Sequence, residues 1–389
     1  MTGQQRKNAG FGRFFVCAAA LFIFAIPTPA DAQSFVESRQ SASSAALKLV
    51  DFAVDSNAKL DLQAVGALID AVLEKKSVRE AELPKIRKAS GAYYEYDLNV
   101  GFTDFLQYSY SRQVPSALTS PASLRYSLWR TNGSKSQLLP ERWMLPADPA
   151  QPLVIRGIQR DGITPDLTTE VYYEYDLLRA LILLQYKGRN VLISVSKQVD
   201  VSDVGKKGFI LSDDDWNYLY TDEVGSAKAG LGWVKSYIYD FFAVGVYVEA
   251  DSSPSTIRCG VFQWIRAGWS GINFAQSDHV IKGIERHARN TKSILESPKL
   301  PPAAELAGIY RRLGALPTED LSRRYAALIQ ARQDLAVVSG RIRKKDMRKQ
   351  DDFTDTSRQQ MIEALMLEYF KVVLGKSSPL GKRLALAVQ

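Results

Sequence analysis

The 389-residue chain is poor in the residues that build disulfides and metal centres, with only two cysteines and two histidines. Cys17 falls in an apolar N-terminal stretch, so the rest of the chain holds Cys259 alone and has no internal disulfide. His279 and His287 are eight residues apart on one predicted helix, about 80° apart around its axis. The sequence therefore predicts no metal site, and a lone Cys259 is expected to be a small buried residue rather than a nucleophile.

Recognisable cofactor motifs are also absent. The glycine-rich stretch Gly225–Gly232 is not followed by the lysine and hydroxyl residue of a phosphate-binding loop. The acidic turn Asp213–Asp215 lacks the alternating ligands and the glycine of a calcium loop. We predict no cofactor and no catalytic residue, and a non-catalytic protein is favoured over an enzyme.

One hexapeptide, YYEYDL, occurs twice, at Tyr93–Leu98 and Tyr172–Leu177. Alternation along a strand would put Tyr94, Tyr96 and Leu98 on one face, and Tyr173, Tyr175 and Leu177 likewise, with the acidic residues of each copy on the other face. Carboxylates two apart on a strand are common on ordinary solvent-facing sides, so acid–base catalysis is not predicted from them. Duplication and chance both remain open as explanations of the repeat.

Only the N-terminus contains a long apolar run. Residues 14–26 are apolar, Arg6, Lys7 and Arg13 precede them, and Ala30–Ala32 has the A-x-A pattern of a cleavage site. The run is short for a transmembrane helix, although an uncleaved anchor is the alternative. We therefore predict a signal peptide over residues 1–32, cleaved after Ala32, and a periplasmic or secreted protein.

The basic charge belongs to one part of the chain. Residues 33–297 carry 30 lysines and arginines against 31 aspartates and glutamates, whereas residues 298–389 carry 17 against 10. A balanced main body argues against a nucleic-acid partner. The basic run Arg341–Lys349 is either a solvated linker or a peripheral contact with an anionic membrane surface.

Patterning divides the remaining chain into three parts. Residues 33–90 are expected to be an N-terminal helical segment that ends in a charged connector, Lys75–Lys88. Residues 91–298 contain short strand patterns joined by turns, which favours an antiparallel α+β domain because helical crossovers are missing. Residues 299–389 are expected to form an additional all-α segment, with helices at Ala303–Leu313, Thr318–Val338 and Thr354–Leu374.

A long strand at Thr256–Trp269 is followed by an amphipathic helix at Ser277–Glu296, which Pro298 stops. The indole of Trp264, the Gly268-Trp269 step and the helix ending LESP make this stretch resemble the START (StAR-related lipid-transfer) domains of the SRPBCC superfamily. The resemblance implies a helix-grip fold, in which a curved antiparallel sheet is closed by the last helix over a ligand cavity.

The resemblance and an aromatic concentration before the helix lead to a hypothesis of function. We expect a hydrophobic small molecule or lipid to bind between sheet and helix, with Arg258 and Arg266 as the candidates for a polar head group. The predicted ligand-binding residues are Tyr239, Phe241, Tyr247, Arg258, Phe262, Trp264, Arg266, Trp269, Ile284 and Ala288. Three alternatives stay open: a filled core, an interaction module docking through the basic C-terminal helices, and a cyclase- or hydratase-like enzyme.

Overall fold

The structure, a computed structural model, describes residues 29–74, 79–131, 133, 136–146, 148, 151–228, 232–250, 255–344 and 356–382. The helices in these ranges are α1 (Pro29–Val54), α2 (Leu62–Leu73), α3 (Phe102–Tyr110), α4 (Ser277–Leu295), α5 (Ala303–Ala315), α6 (Thr318–Val338) and α7 (Arg358–Val373). The strands are β1 (Glu80–Ile86), β2 (Ala89–Leu98), β3 (Leu124–Arg130), β4 (Leu153–Ile163), β5 (Val171–Tyr172), β6 (Glu174–Tyr186), β7 (Arg189–Gln198), β8 (Lys206–Ser212), β9 (Asn217–Val224), β10 (Ser226–Lys228), β11 (Gly232–Val234), β12 (Tyr237–Ala250) and β13 (Thr256–Gly268).

Most of the chain belongs to one compact unit. Ser38–Gln389 forms this unit, and Met1–Glu37 clusters separately. The first 28 residues of the predicted signal peptide lie outside the described residues. Among the described helices, none is long and apolar enough to cross a membrane.

An eight-stranded antiparallel sheet dominates the fold, in the order β1-β2-β13-β12-β7-β6-β4-β3. A short turn joins β6 to β7, as the strand patterns predict, and β12 pairs antiparallel with β13. The α+β class with a large antiparallel sheet, followed by a long helix, is therefore confirmed. Two smaller sheets, β5-β8-β9 and β10-β11, extend from it.

Both faces of the sheet are covered, so its strands carry apolar residues on both sides. We call one face of the sheet the outer face: it packs on α2 and on the described side chains of α1. Val195, Val244 and Phe262 are among its residues. The inner face is the one towards α4. On the inner face, six residues that pair directly across neighbouring strands form one row: Gly157, Arg179, Ser196, Ala243, Gln263 and Ala92.

Helix α4 is amphipathic, with Val280, Ile284, Ala288 and Thr291 buried at helical spacing. Asp278 in its first turn and Lys292 in its last turn complement the helix dipole. Its main sheet contacts are with β2, and smaller contacts reach β1 and β13. Because α4 lies over the β1, β2 and β13 side of the sheet, space remains over the inner face of the central strands.

The charged stretch before Gly91 is not a simple connector. Strand β1 occupies Glu80–Ile86 and pairs with β2, so the prediction of a solvated connector over residues 75–88 is wrong in this part. Alternating burial of Ala81 and Leu83 explains the strand, since these two small and apolar residues face the outer core between exposed polar neighbours. Lys75–Ser77 and Val78 lie outside the described residues.

The three C-terminal helices lie close to their predicted positions, and the predicted packing of α6 on α7 is confirmed. Helix α7 begins later than predicted, because the N-cap is Ser357, which forms a capping box with Gln360. The Glu363 carboxylate of α7 accepts the Ser127 backbone N–H of edge strand β3 over 3.1 Å. The C-terminal helices therefore cover one edge of the sheet.

A buried charged cluster joins α6, α7 and β9. The Lys371 ammonium donates to the Asn217 amide oxygen and to both Glu368 carboxylate oxygens, over 2.7, 2.8 and 3.0 Å. The Arg332 guanidinium donates to Glu368 over 2.9 Å. Two cations around one carboxylate lower the pKa of Glu368 despite its burial, whereas desolvation lowers the pKa of Lys371 to about 8.

Candidate functional site: a polar-floored cavity beneath α4

A cavity of about 380 Å³ lies between the inner face and α4. Its floor is made where β7 and β12 pair, with Ser196 opposite Ala243 and Ser194 opposite Gly245. Four small residues at adjoining positions leave space that larger inner-face side chains would fill. The cavity therefore follows from side-chain size on two central strands.

Aromatic rings form much of the cavity wall. Tyr247 lies with its ring centroid 4.8 Å from Phe105 and 6.3 Å from Tyr110, both on α3. Phe241 and Tyr175 form a second pair, 6.0 Å apart. Rings with polar tips around a small number of polar groups are typical of sites for amphipathic small molecules.

Arg179 is the cation of the cavity floor. Its terminal nitrogens donate to the hydroxyl oxygens of Ser196 and Ser194, over 2.5 and 2.8 Å. Its Nε is buried and has no hydrogen-bond partner among the described residues. The two serines hold the guanidinium against the sheet, and its Nε–H has no acceptor among the described residues.

Asp161 on β4 is a buried acidic group of the same cavity. Its carboxylate accepts two hydrogen bonds from the Gln159 amide, over 2.8 and 2.9 Å, and only 4% of the residue is exposed. Burial raises the pKa of Asp161, against the lowering effects of Ser127, Gln159 and Arg179. Desolvation thus dominates and favours the neutral acid relative to an exposed aspartate.

Helix α4 places the imidazole of His287 at the cavity, without a hydrogen-bond partner among the described residues. His287 lines the cavity, and burial lowers its pKa to about 4, so the ring is neutral at pH 7. No described residue forms a hydrogen bond with this ring. The imidazole is thus able to donate from one nitrogen and accept at the other.

Polar contacts anchor α4 beside the cavity. The Arg286 guanidinium pairs with Asp213 and donates to the Tyr218 hydroxyl over 3.0 Å, which links α4 to β8 and β9. The Trp216 indole N–H donates to the Asn290 amide oxygen over 2.6 Å. The acidic turn Asp213–Asp215 therefore helps to anchor the covering helix.

The structure brings three of the predicted ligand-binding residues to the cavity. Phe241, Tyr247 and Ile284 line it. Ala288 is buried in the same inner core without lining the cavity. These positions agree with the expectation of a space between the sheet and the helix.

Phe262 and Trp264 lie on the outer face, so the expectation that they face α4 is wrong. Both belong to the core around α1 and α2, and Trp264 stacks on Phe242 with centroids 5.2 Å apart. The Trp264 indole donates to the Pro84 carbonyl over 3.0 Å. The error is one of strand parity: the odd-numbered residues of β13, such as Val261, face the cavity.

The two arginines expected at a head group also lie away from the cavity. Arg258 donates to the buried Glu95 carboxylate over 3.0 Å, so this carboxylate is not on a solvent-facing side. Arg266 donates to the Gly271 carbonyl over 2.7 Å and lies over the Tyr239 ring. Neither arginine nor Tyr239 lines the cavity.

Trp269 stacks on Phe274, with ring centroids 3.7 Å apart, in the turn that follows β13. It does not line the cavity either. The positive φ of Ser270 and Gly271 shows how the chain reverses at this point. Trp269 thus belongs to the turn between strand and helix.

The polar floor was not predicted from the sequence. Its signal is the ISVS segment, in which Ser194 and Ser196 alternate with apolar residues inside the buried run of residues 191–196. Arg179 gives a similar signal, because it is a cation inside the apolar run of β6. Polar residues at one parity of a buried strand are the pattern that indicates such a floor.

Two other kinds of site, a metal site and a reactive thiol at Cys259, can be compared with the described residues. Within the part of the chain that the structure describes, no three His, Cys, Asp or Glu side chains are placed to hold a metal ion. Cys259 is fully buried on the inner face, and desolvation raises the pKa of its thiol well above the ordinary value. This burial agrees with the expected structural role of Cys259.

Comparison of the chain with models of known families, with curated proteins and with solved structures finds no match. The argument for function therefore depends on the cavity and its residues.

Proposed function

We propose that this protein is an exported START-like binding protein that holds a hydrophobic ligand in the cavity beneath α4, without covalent chemistry. One observation carries the proposal: a cavity of about 380 Å³ lies over the small residues of β7 and β12 and is walled by aromatic rings. Ligand sites in proteins commonly have volumes of about 300–1,000 Å³ and mostly apolar walls.

The volume and the lining of the cavity also limit the class of ligand that it can hold. A site near the lower end of that range favours a single-chain lipid or another small amphiphile over a lipid with two long chains. Phe105, Phe241 and Tyr247 offer apolar contact, and Arg179 and Asp161 offer a polar end. The ligand of this proposal therefore has an apolar body and one compact polar group.

In this proposal the fold is a helix-grip variant. A long helix directly after the last strand, lying along the inner face, supports that interpretation. The layer formed by α1 and α2 on the outer face and the helices α5–α7 at the sheet edge are additions to it. Export rests on the N-terminal pattern of residues 1–32.

The test is recovery of the ligand from natively purified protein. We expect solvent extraction and mass spectrometry to detect a stoichiometric small amphiphile. The variant Ala243→Leu fills the floor and should lose most of it, whereas Ala327→Leu, the same change on the exposed side of α6, should retain it. No copurifying molecule, together with no binding of an apolar fluorescent probe to extracted protein, would contradict the proposal.

A second candidate is an acid–base enzyme acting on the bound molecule, and the convergence of His287, Asp161 and Arg179 on one cavity supports it. A neutral imidazole can accept a proton, and burial raises the pKa of the Asp161 carboxyl group, which favours proton transfer from it relative to an exposed aspartate. Mass spectrometry of the molecules held by His287→Asn and Asp161→Asn variants separates the two candidates. An enzyme predicts an unprocessed ligand of different mass in the variants, and a binding protein predicts the same mass throughout.

A further inference from the structure

Three hydrogen-bond donors on the cavity floor have no acceptor among the residues that the structure describes. Ser194 and Ser196 each accept a hydrogen bond from Arg179, and no acceptor for either hydroxyl hydrogen is found among the described residues. The Nε–H of Arg179 is likewise unpartnered. A hydroxyl that already accepts from a cation donates its own hydrogen best to an electron-rich oxygen.

The position of these donors is well defined. Arg179 and Ser196 are directly paired across β6 and β7, and Ser194 follows on the same face of β7. Both serines are less than a tenth exposed. Unused donors in such a buried place are costly unless a ligand atom accepts from them.

The charge of the floor limits the acceptor further. Arg179 is a permanent cation. The described lining includes two acidic residues, Asp161 and Asp166, and the Asp166 carboxylate already accepts hydrogen bonds from the Thr168 and Thr169 backbone N–H groups. The second cavity arginine, Arg286, is already paired with Asp213. One available cation beside an acidic group suits a single negative charge and opposes a double one.

We propose that the cavity binds a carboxylic acid in its ionised form, with the carboxylate against Arg179, Ser194 and Ser196. The apolar body lies along the aromatic wall formed by Phe241 and Tyr247. This inference rests on the proposed function, and it adds the chemical class of the ligand. A planar carboxylate matches the fork of a guanidinium and accepts from the hydroxyl groups beside it.

The test compares three probes with one apolar chain: decanoate, decanol and decyl phosphate. Each is titrated calorimetrically, below its micelle concentration at pH 7.5, into the solvent-extracted and refolded full chain. We expect decanoate to bind at least about tenfold more tightly than either of the other two. Arg179→Met should weaken decanoate binding by about tenfold to a hundredfold and leave decanol binding nearly unchanged.

Two further variants make the result specific. Arg266→Met is the matched control on the other side of the sheet and should bind decanoate like the parent chain. The double variant Ser194→Ala/Ser196→Ala keeps the cation and should weaken decanoate binding by about tenfold. It also provides the test should Arg179→Met lose its fold, which circular dichroism would reveal.

Each outcome has one meaning. If decanol binds as tightly as decanoate, or if neither Arg179→Met nor the double serine variant weakens decanoate binding, the carboxylate assignment is overturned while the proposed function stands. Tighter binding of decyl phosphate also overturns the assignment, in favour of a phosphate group. If none of the probes binds and no ligand copurifies with native protein, the proposed function and the assignment fail together.

Discussion

The Trp129 indole lies directly over the backbone of Gly157, where a Cβ atom would come within 2.5 Å of the ring. Gly157 is paired with Arg179 across β4 and β6, and its missing side chain makes room for the Trp129 ring, which lines the same cavity as Arg179. We expect Gly157→Ala to destabilise the fold by about 1–3 kcal/mol and to change Trp129 fluorescence, because the indole must move.

Gly283 gives the matched comparison, since it lies in α4 and an added Cβ would meet no atom within 4 Å. Gly283→Ala should stabilise the fold by about 0.5–1 kcal/mol, through the helical preference of alanine. Urea unfolding measures both variants. Equal effects of the same sign would contradict the account of these two positions.

The buried carboxyl group of Glu363 should make stability depend on pH. Burial raises its pKa to about 8, so between about pH 4.5 and 8 the folded state binds a proton that the unfolded state has lost. The free energy of unfolding therefore falls as the pH rises through this window, by more than about 1.4 kcal/mol, the value of one pKa unit.

Glu363→Gln should remove this fall, because the amide does not titrate and still has an oxygen that accepts from Ser127. Urea unfolding at several pH values measures it. The exposed Glu82→Gln is the matched control. A pH profile of Glu363→Gln that is identical to that of the parent chain would show that Glu363 is ionised in the folded state.

His287 should titrate far below an exposed histidine. With His279→Gln as background, one histidine remains, and its ring proton resonance should shift with an apparent pKa of about 4. The histidine of the unfolded state binds its proton at a higher pH, near 6.5, than the histidine of the folded state. The free energy of unfolding therefore decreases as the pH falls from about 6.5 to 4. A midpoint near 6.5 would mean that the ring is well hydrated or has gained an acidic partner.

The cluster of Arg332, Glu368 and Lys371 should be important for holding the C-terminal helices. Lys371→Met leaves a buried carboxylate with one cation instead of two, and we expect it to lower the free energy of unfolding by about 3 kcal/mol. The double variant Glu368→Gln/Lys371→Met should cost less than the two single changes added together. Additive losses would indicate that the two groups act independently.

Much of the fold follows from local pattern. The helical periodicity of α4 and of α6, and the apolar runs of β6 and β7, are strong signals because each helix buries one face and each of these strands buries both faces over much of its length. Strand β1 was missed because its buried positions are only Ala81 and Leu83, among charged residues.

The candidate site was predicted in place but not in composition. A strand that is apolar at both parities, such as β13, gives no indication of which face lies under the helix, so Trp264 was placed on the wrong side and Val261 was passed over. The partner of Arg258 is Glu95, 163 residues away in the chain, whereas Arg179 donates to Ser194 and Ser196 on the next strand. The opposite roles of these two arginines depend on which strand pairs with which, and a single sequence contains no direct record of that pairing.

The inner-face cavity is the centre of this account, and its most direct test is an isotope-filtered NOE experiment on labelled protein with unlabelled decanoate. We predict cross-peaks from the chain protons of the probe to the rings of Phe241 and Tyr247, and from its C2 protons to the Arg179 side chain. Cross-peaks confined to the outer-face rings of Phe262 and Trp264, or none at saturating probe, would contradict it.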